Sequence, residues 1–335
     1  MEEFIRENPD KDPLVKFRDV RVGFKRGIDY RSVIENLNLD IFRGEILGLV
    51  GESGSGKTTI GRSINRVYPT SGGDILYRNV KINGKIPRDR ERNMKKYIQM
   101  IFQDPSASLN ERANIDYVIS EGLRAFHLYK DEAERVEKVC NMMNRVGLPP
   151  EFLKRYPHEF SGGQRQRIGV ARCMVMEPEF VIADEPISAL DVSIRAQVLN
   201  LIKEFQISDQ LTVLFIAHDL SVVRYISDRI AVINNGKIVE LCEADRLFEM
   251  PLHPYTKALL TAVPLPDPQL EANKQIIIYN PLMHRYTKDD PADLYEVEPN
   301  HFVRANAAEL ATYLEIIQKE GGKTDGQKRV SKSSQ

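Results

Sequence analysis

Gly51-Glu52-Ser53-Gly54-Ser55-Gly56-Lys57-Thr58-Thr59 fits the pattern G-x-x-x-x-G-K-[ST] and follows the apolar run Ile46-Leu47-Gly48-Leu49-Val50. That order reads as strand, loop, then helix. Residues without a Cβ let successive backbone N–H groups curl around a phosphate. A helix beginning near Lys57 adds its own unpaired N–H groups and the positive end of its dipole. In such a loop Lys57 reaches the β- and γ-phosphates and the Thr58 hydroxyl holds Mg²⁺. The context of strand before and helix after turns a short pattern into a nucleoside triphosphate site.

Phe160-Ser161-Gly162-Gly163-Gln164 opens a second helical segment, Arg165-Gln166-Arg167-Ile168-Gly169-Val170-Ala171-Arg172. Ser161 suits an N-cap, and the two glycines allow close backbone approach to an anion. Alone, S-G-G would be a capped surface helix after a turn. Flanked by the other motifs, it reads as a second phosphate-binding helix N-terminus.

Gln103 lies between the two, in Met100-Ile101-Phe102-Gln103-Asp104-Pro105. Downstream, Glu179-Phe180-Val181-Ile182-Ala183-Asp184-Glu185-Pro186 suits a buried parallel strand, which delivers ligands at its C-terminal end. There Asp184 can bind Mg²⁺ and Glu185 can deprotonate an attacking water, although a carboxylate pair can also merely cap a helix. Ser188-Ala189-Leu190-Asp191 follows, and the next apolar run, Leu211-Thr212-Val213-Leu214-Phe215-Ile216-Ala217, ends on His218-Asp219.

Six ordered motifs over this span resemble the ATPase subunit of an ABC transporter, and the resemblance covers roughly residues 14–264. It implies an α/β P-loop NTPase cassette with a β-rich N-terminal subdomain, a RecA-like core, a helical subdomain at about 104–175 and a small C-terminal extension. By position it implies that Gly51, Glu52, Ser53, Gly54, Ser55, Gly56, Lys57, Thr58 and Thr59 bind ATP, with Thr58, Gln103 and Asp184 around Mg²⁺. Glu185 would be the general base, while Lys57, Gln103 and His218 contact or sense the γ-phosphate. Ser161, Gly162, Gly163 and Gln164 would serve the ATP of the opposite subunit, and Asp191 would lie at the dimer interface. The family stacks adenine on an upstream aromatic residue; Phe24 falls where it is expected and Tyr30 is a rival, and either could equally be core packing.

Met100 to Asn110, Tyr156-Pro157-His158-Glu159-Phe160 and Pro251-Leu252-His253-Pro254-Tyr255-Thr256 are similar to the oligopeptide and dipeptide importer ATPases, a branch that also serves nickel and oligosaccharide importers. Cys242 stands where the family usually has Gly, which should alter only a turn. Many relatives bind an iron–sulfur cluster through cysteines beyond the His-Pro-Tyr segment, whereas residues 265–335 here hold no cysteine, so no cluster is expected. The resemblance implies integral membrane permease subunits as partners, a second homologous ATPase subunit in preference to a homodimer, and an extracytoplasmic solute-binding protein acting indirectly. It places the chain peripherally on the cytoplasmic face of the membrane.

Composition agrees. With 335 residues, 42% of them hydrophobic, the chain can bury a sizeable core. No apolar run approaches the roughly 18 residues of a spanning helix, and Met1 to Pro9 lacks a signal peptide's form. A formal net charge of −1 gives no footprint for nucleic acid. Cys140, Cys173 and Cys242 form no C-x-x-C pair and read as idle thiols.

Residues 1–13 read as an N-terminal arm, 14–264 as the ATPase domain, 265–322 as the extension and 323–335 as a disordered tail, with Pro264-Leu265-Pro266-Asp267-Pro268 at the boundary. Val136, Val139, Cys140 and Met143 form a helical core stripe. A soluble ABC ATPase acting on DNA or ribosomes would share the motifs, but it would carry a long coiled-coil insertion or a second cassette. A non-enzymatic regulatory module would have lost catalytic positions, and every one is present here.

Overall fold

A computed structural model describes residues 13–27, 29–104, 108–263 and 274–332, with the side chains of Arg26 and 320–332 outside the description. β1 (Pro13–Arg26) and β2 (Asp29–Phe42) form a long antiparallel hairpin. β3 (Ile46–Val50) leads into α1 (Lys57–Ile64), after which β4 (Gly72–Tyr77) and β5 (Val80–Lys81) return to the hairpin. α2 (Arg88–Tyr97) and β6 (Ile98–Ile101) precede the helices α3 (Ile115–Phe126), α4 (Glu132–Arg145) and α5 (Gly162–Met174). Then come β7 (Phe180–Asp184), α6 (Val192–Asp209), β8 (Thr212–Ile216), α7 (Leu220–Ile226), β9 (Arg229–Asn234) and β10 (Lys237–Glu243). α8 (Ala244–Glu249), α9 (Pro254–Ala262), β11 (Asp293–Glu298), β12 (His301–Ala305) and α10 (Ala307–Lys332) complete the order.

The hairpin belongs to a four-stranded sheet, β2-β1-β4-β5. The larger sheet has eight strands in the order β11-β12-β10-β9-β3-β8-β7-β6, parallel from β9 to β6. Every residue of β3, β7 and β8 is buried, which is why their sequences read as unbroken apolar runs. Alternate side chains feed opposite cores, as the two-residue period of a strand requires. Leu47 and Leu49 pack with the hairpin and α1, while Ile46 and Val50 pack with the helices on the other face.

This strand order positions the site. The loop after β3 carries Lys57, and the neighbouring parallel strands β8, β7 and β6 end just before His218, at Asp184 and just before Gln103. Four adjacent parallel strands thus deliver their chemistry at one edge of the sheet, the place where open α/β sheets bind ligands.

The described part of the extension continues the same sheet. β12 pairs with β10 through Glu240–Val303 and Leu241–Phe302, and β11 pairs with β12. Met250, Leu252, Val297, Val303, Ala305 and Tyr313 make a small core of their own there.

Several expectations need amending. In α4 the core face is Val139, Met142 and Met143; Val136 is exposed, and Arg135 is buried because its guanidinium meets Asp116 at 2.8 Å and Glu132 at 2.7 Å. Cys242 is the penultimate residue of β10, buried and paired with Ile230, so the Gly-to-Cys difference fills a core position in a strand and does not reshape a turn. α10 runs through residues 323–332. Its first turns are anchored by Leu310, Tyr313, Ile316 and Ile317. The N-terminal arm up to residue 12, the Pro-rich boundary and residues 333–335 lie outside the described residues.

Candidate nucleotide-binding and hydrolysis site

Gly56 caps α1 at φ 110°, and a Cβ there would stand 2.5 Å from Ile34 Cδ1. A Cβ on Gly51 would stand 2.1 Å from the Ile233 carbonyl oxygen. The loop therefore needs glycine at both ends of its turn. Lys57, buried at the start of α1, donates from Nζ to the Gly51 carbonyl at 2.7 Å and the Glu52 carbonyl at 2.9 Å. Two of three ammonium donors hold the loop closed on itself, and the third remains for an anion. Burial pushes the Lys57 pKa down, opposed by the charges of Glu185, Asp184 and Glu52.

Thr58 Oγ1 donates to Asp184 Oδ1 at 2.9 Å, and Arg62 Nε lies 3.9 Å from Asp184 Oδ2. Burial pushes the Asp184 carboxyl pKa up, opposed by the Thr58 hydrogen bond and the charges of Arg62 and Lys57, so a bound cation would favour the ionised carboxylate that burial disfavours. A hydroxyl and a carboxylate within hydrogen-bond distance, beside an anion cradle, form an oxygen donor set that suits Mg²⁺.

Glu185 sits at φ 48°, and its N–H donates to the Ile216 carbonyl at 2.9 Å. Such a conformation is uncommon outside glycine and turns the chain sharply as β7 ends. Its carboxylate accepts from Gln103 Nε2 at 3.0 Å and lies 3.5 Å from His218 Nδ1. Ser188 Oγ donates back to the Glu185 carbonyl at 3.1 Å. A cavity of about 20 Å³ bordered by Glu185, Ser188, Arg195 and His218 has room for one water.

Lys57, Thr58, Asp184, Glu185, Gln103 and His218 are therefore brought together. Ser161 and Gln164 instead bond each other as a capping box, with Ser161 Oγ accepting from Gln164 N–H and Gln164 Oε1 from Ser161 N–H. Gly162 faces open space, whereas a Cβ on Gly163 would meet Ile194 Cγ2 at 2.4 Å. Asp191 caps α6, accepting from Ile194 N–H at 3.0 Å. Phe24, 37% exposed near the end of β1, stands edge-on to Tyr68 at 4.9 Å, and the Tyr30 hydroxyl donates to Ser71 Oγ at 2.7 Å.

Two residues near the site were not singled out for it from the sequence. Arg62 lies one turn beyond Thr58 on α1, and that spacing was a usable signal. The Tyr255 hydroxyl accepts from Glu52 N–H at 2.9 Å across 203 positions; only its place in the His-Pro-Tyr segment hinted at it.

The family profile described as ABC transporter matches residues 34–188, and the one described as oligopeptide/dipeptide transporter, C-terminal region, matches residues 239–288. The chain is 59% identical over 302 residues to the oligopeptide transport ATP-binding protein OppF of Streptococcus pyogenes serotype M1, covering 90% of this chain and 98% of that protein. It is 52% identical to OppF of Bacillus subtilis, over 90% and 99% of the two chains. It is 47% identical to the dipeptide transport ATP-binding protein DppF of Lactococcus lactis subsp. cremoris, over 90% and 96%. Among solved structures, cbiO1 of Clostridium perfringens, part of the ABC transporter complex cbiONQ, superimposes with a TM-score of 0.63 at 27% identity, over 71% and 91% of the chains. The dimeric ATP-binding cassette MJ0796, in a post-hydrolysis state with ADP and Pi, superimposes at 0.62 and 26%, over 69% and 98%. The chain belongs to the ATP-hydrolysing, ATP-binding proteins of ABC transporters and carries the C-terminal region of the oligopeptide/dipeptide branch.

Proposed function

We propose that this chain is the subunit that hydrolyses ATP to power uptake of oligopeptides or dipeptides. It would sit peripherally at the cytoplasmic face of a membrane against integral permease subunits, fed indirectly by an extracytoplasmic solute-binding protein. The observation that carries the chemistry is Glu185, held between Gln103 and His218 beside the Lys57 loop.

In this reading the loop from Gly51 to Thr59 wraps the triphosphate, and Lys57 exchanges its carbonyl partners for phosphate oxygens. Thr58 and Asp184, with Gln103, would hold Mg²⁺, which would supply neutralisation of the phosphate charge. Glu185 takes a proton from the attacking water, and Gln103 and His218 fix the direction of that carboxylate. Phe24 stacks on adenine, which is worth about 1–3 kcal/mol. Ser161, Gly162, Gly163 and Gln164 complete the ATP site of a facing cassette. Their exposed helix start has turned its own hydroxyl and amide inward as a cap and keeps Gly162 open to an incoming phosphate. Binding energy then closes two cassettes on two ATP molecules, with Asp191 at the seam, and loss of the γ-phosphate lets them part.

The partner cassette is read as a second, homologous ATPase and not a copy of this chain. The likeness to OppF and DppF supports peptides as the solute. A tagged copy purified from detergent-solubilised membranes should bring down two permease chains and a second ATPase. Reconstituted in vesicles, that complex should release phosphate faster when the binding protein carries a short peptide. Stimulation by nickel or an oligosaccharide in place of peptide would contradict the solute assignment, and full activity with this chain as the sole ATPase would contradict the pairing.

A further inference from the structure

We propose that Tyr255 is a positioning residue for the phosphate-binding loop, and that the C-terminal extension holds Tyr255 in place, so that nucleotide affinity depends on how the extension is docked. The inference rests on reading the loop from Gly51 to Thr59 as the ATP site. Glu52 N–H is given to the Tyr255 hydroxyl at 2.9 Å, while the Glu52 carbonyl accepts from Lys57 Nζ at 2.9 Å and from Ser55 N–H at 3.2 Å. The Glu52 peptide is thus pinned on both edges at the entrance of the loop, one residue after Gly51 meets the wall of β9. A glycine-rich loop loses more freedom on ordering than any other, and a loop ordered in advance binds more tightly because that cost is already met.

Tyr255 is held by several groups. Its ring is buried and stands edge-on to Tyr279 of the extension at 5.2 Å. Its N–H donates to His253 Nδ1 at 3.1 Å. The N–H groups of Leu252 and His253 both donate to the Glu240 carboxylate, at 2.8 and 3.0 Å. Glu240, wholly buried in β10, meets His301 Nε2 of β12 at 2.8 Å. His301 Nδ1 in turn lies 3.1 Å from Glu298 Oε1. The His253 ring stacks on His284 at 5.0 Å, and His284 Nδ1 meets Glu309 Oε1 of α10 at 2.6 Å. The segment after Tyr279, strands β11 and β12, and the first turn of α10 therefore converge on residues 252–255, and Tyr255 passes that order to the loop. Hydrogen bonds in a buried network of this kind strengthen one another in the low-dielectric interior, although His284 Nε2 is without a partner among the described residues.

Among the described residues Glu185, Gln103 and His218, at the ends of β7, β6 and β8, bond to none of these groups, and the strut reaches the phosphate site only through the Glu52 carbonyl on Lys57, so a fault in it should appear in binding and spare turnover. Tyr255→Phe keeps the ring and removes only the hydroxyl. Loss of one hydrogen bond predicts ATP binding weaker by about 3- to 10-fold, with a similar rise in KM. The kcat of the assembled transporter should stay within about twofold. Amide exchange in a peptide spanning residues 50–57 of the full-length chain should quicken. His301→Gln should shift Kd in the same direction.

A folded Tyr255→Phe with unchanged Kd and unchanged exchange overturns the proposal. If that variant does not fold, His301→Gln decides it, unchanged Kd being the contrary result. Lys57→Ala separates the two layers. Retained ATP affinity in Lys57→Ala defeats the nucleotide reading itself, whereas its loss alongside an unaltered Tyr255→Phe defeats the strut alone.

Discussion

The side-chain amide of Gln103 donates to Glu185 Oε2 at 3.0 Å, joining the residue that follows β6 to the one that follows β7. The two strands are hydrogen-bonded neighbours, so a displacement of the segment bearing Gln103 moves the carboxylate assigned to the water. Gln103→Ala should leave ATP affinity nearly unchanged and lower kcat roughly 10- to 100-fold, the cost of a catalytic group misplaced by about an ångström. Single-turnover phosphate release checks this, and a weakened affinity with normal kcat would contradict it.

Thr58 and Asp184 share a hydrogen bond of 2.9 Å. Thr58→Ala removes one oxygen donor without creating a large cavity. The Mg²⁺ concentration giving half-maximal hydrolysis should rise by about 10-fold or more, the scale seen when a metal site loses a supporting group. A Mg²⁺ titration that superimposes on that of the unaltered protein would remove Thr58 from the site.

His253 is buried, and burial pulls its pKa from 6.5 down to about 3, with His284, Arg304 and Lys257 adding to the effect. The folded chain therefore declines a proton that the unfolded chain accepts, and stability should fall as pH drops from about 6.5 toward 3. The Glu240 carboxylate faces the His253 N–H group and remains when the ring is replaced. His253→Asn keeps an N-cap acceptor and cannot ionise. Its melting temperature should decline less between pH 7 and pH 5 than that of the unaltered protein; parallel declines would rule His253 out as the source.

The fold was legible because the central strands are buried on both faces, so their sequences announce themselves as apolar runs, leading into Gly51, Asp184-Glu185 and His218. That same pattern placed Lys57, Asp184, Glu185 and His218. What sequence could not supply was lateral order. β8 lies between β3 and β7, and Gln103 meets Glu185 only because β6 is the next strand over. Tyr255 was quoted for its segment, but its bond to Glu52 depends on α9 packing back across the sheet. In α4 the apolar spacing pointed to Val136, yet the inward position is Arg135, whose charge is met by Asp116 and Glu132. Cys242 was misplaced for a related reason, since a turn residue in the family pattern gives no sign of its strand here.

The three cysteines stand at 140, 173 and 242. Cys173 is buried, and burial pushes its thiol up to about 11; Cys242 is buried and pushed up as well. Thiols held protonated are poor metal ligands. Protein purified without oxygen should contain far less than one iron per chain by elemental analysis, and stoichiometric iron with acid-labile sulfide would contradict this.

The central claim is that Glu185 is the base. Glu185→Gln preserves size and can still accept from Gln103, but it cannot take the proton of water. Positioned general bases contribute about 10²–10⁴-fold. Phosphate release by Glu185→Gln, measured at this chain's own site within the assembled ATPase pair, should fall by that factor, while ATP binding persists and the closed pair accumulates on size exclusion with Mg-ATP. Hydrolysis at close to the normal rate would show that another group takes the proton and would contradict the mechanism.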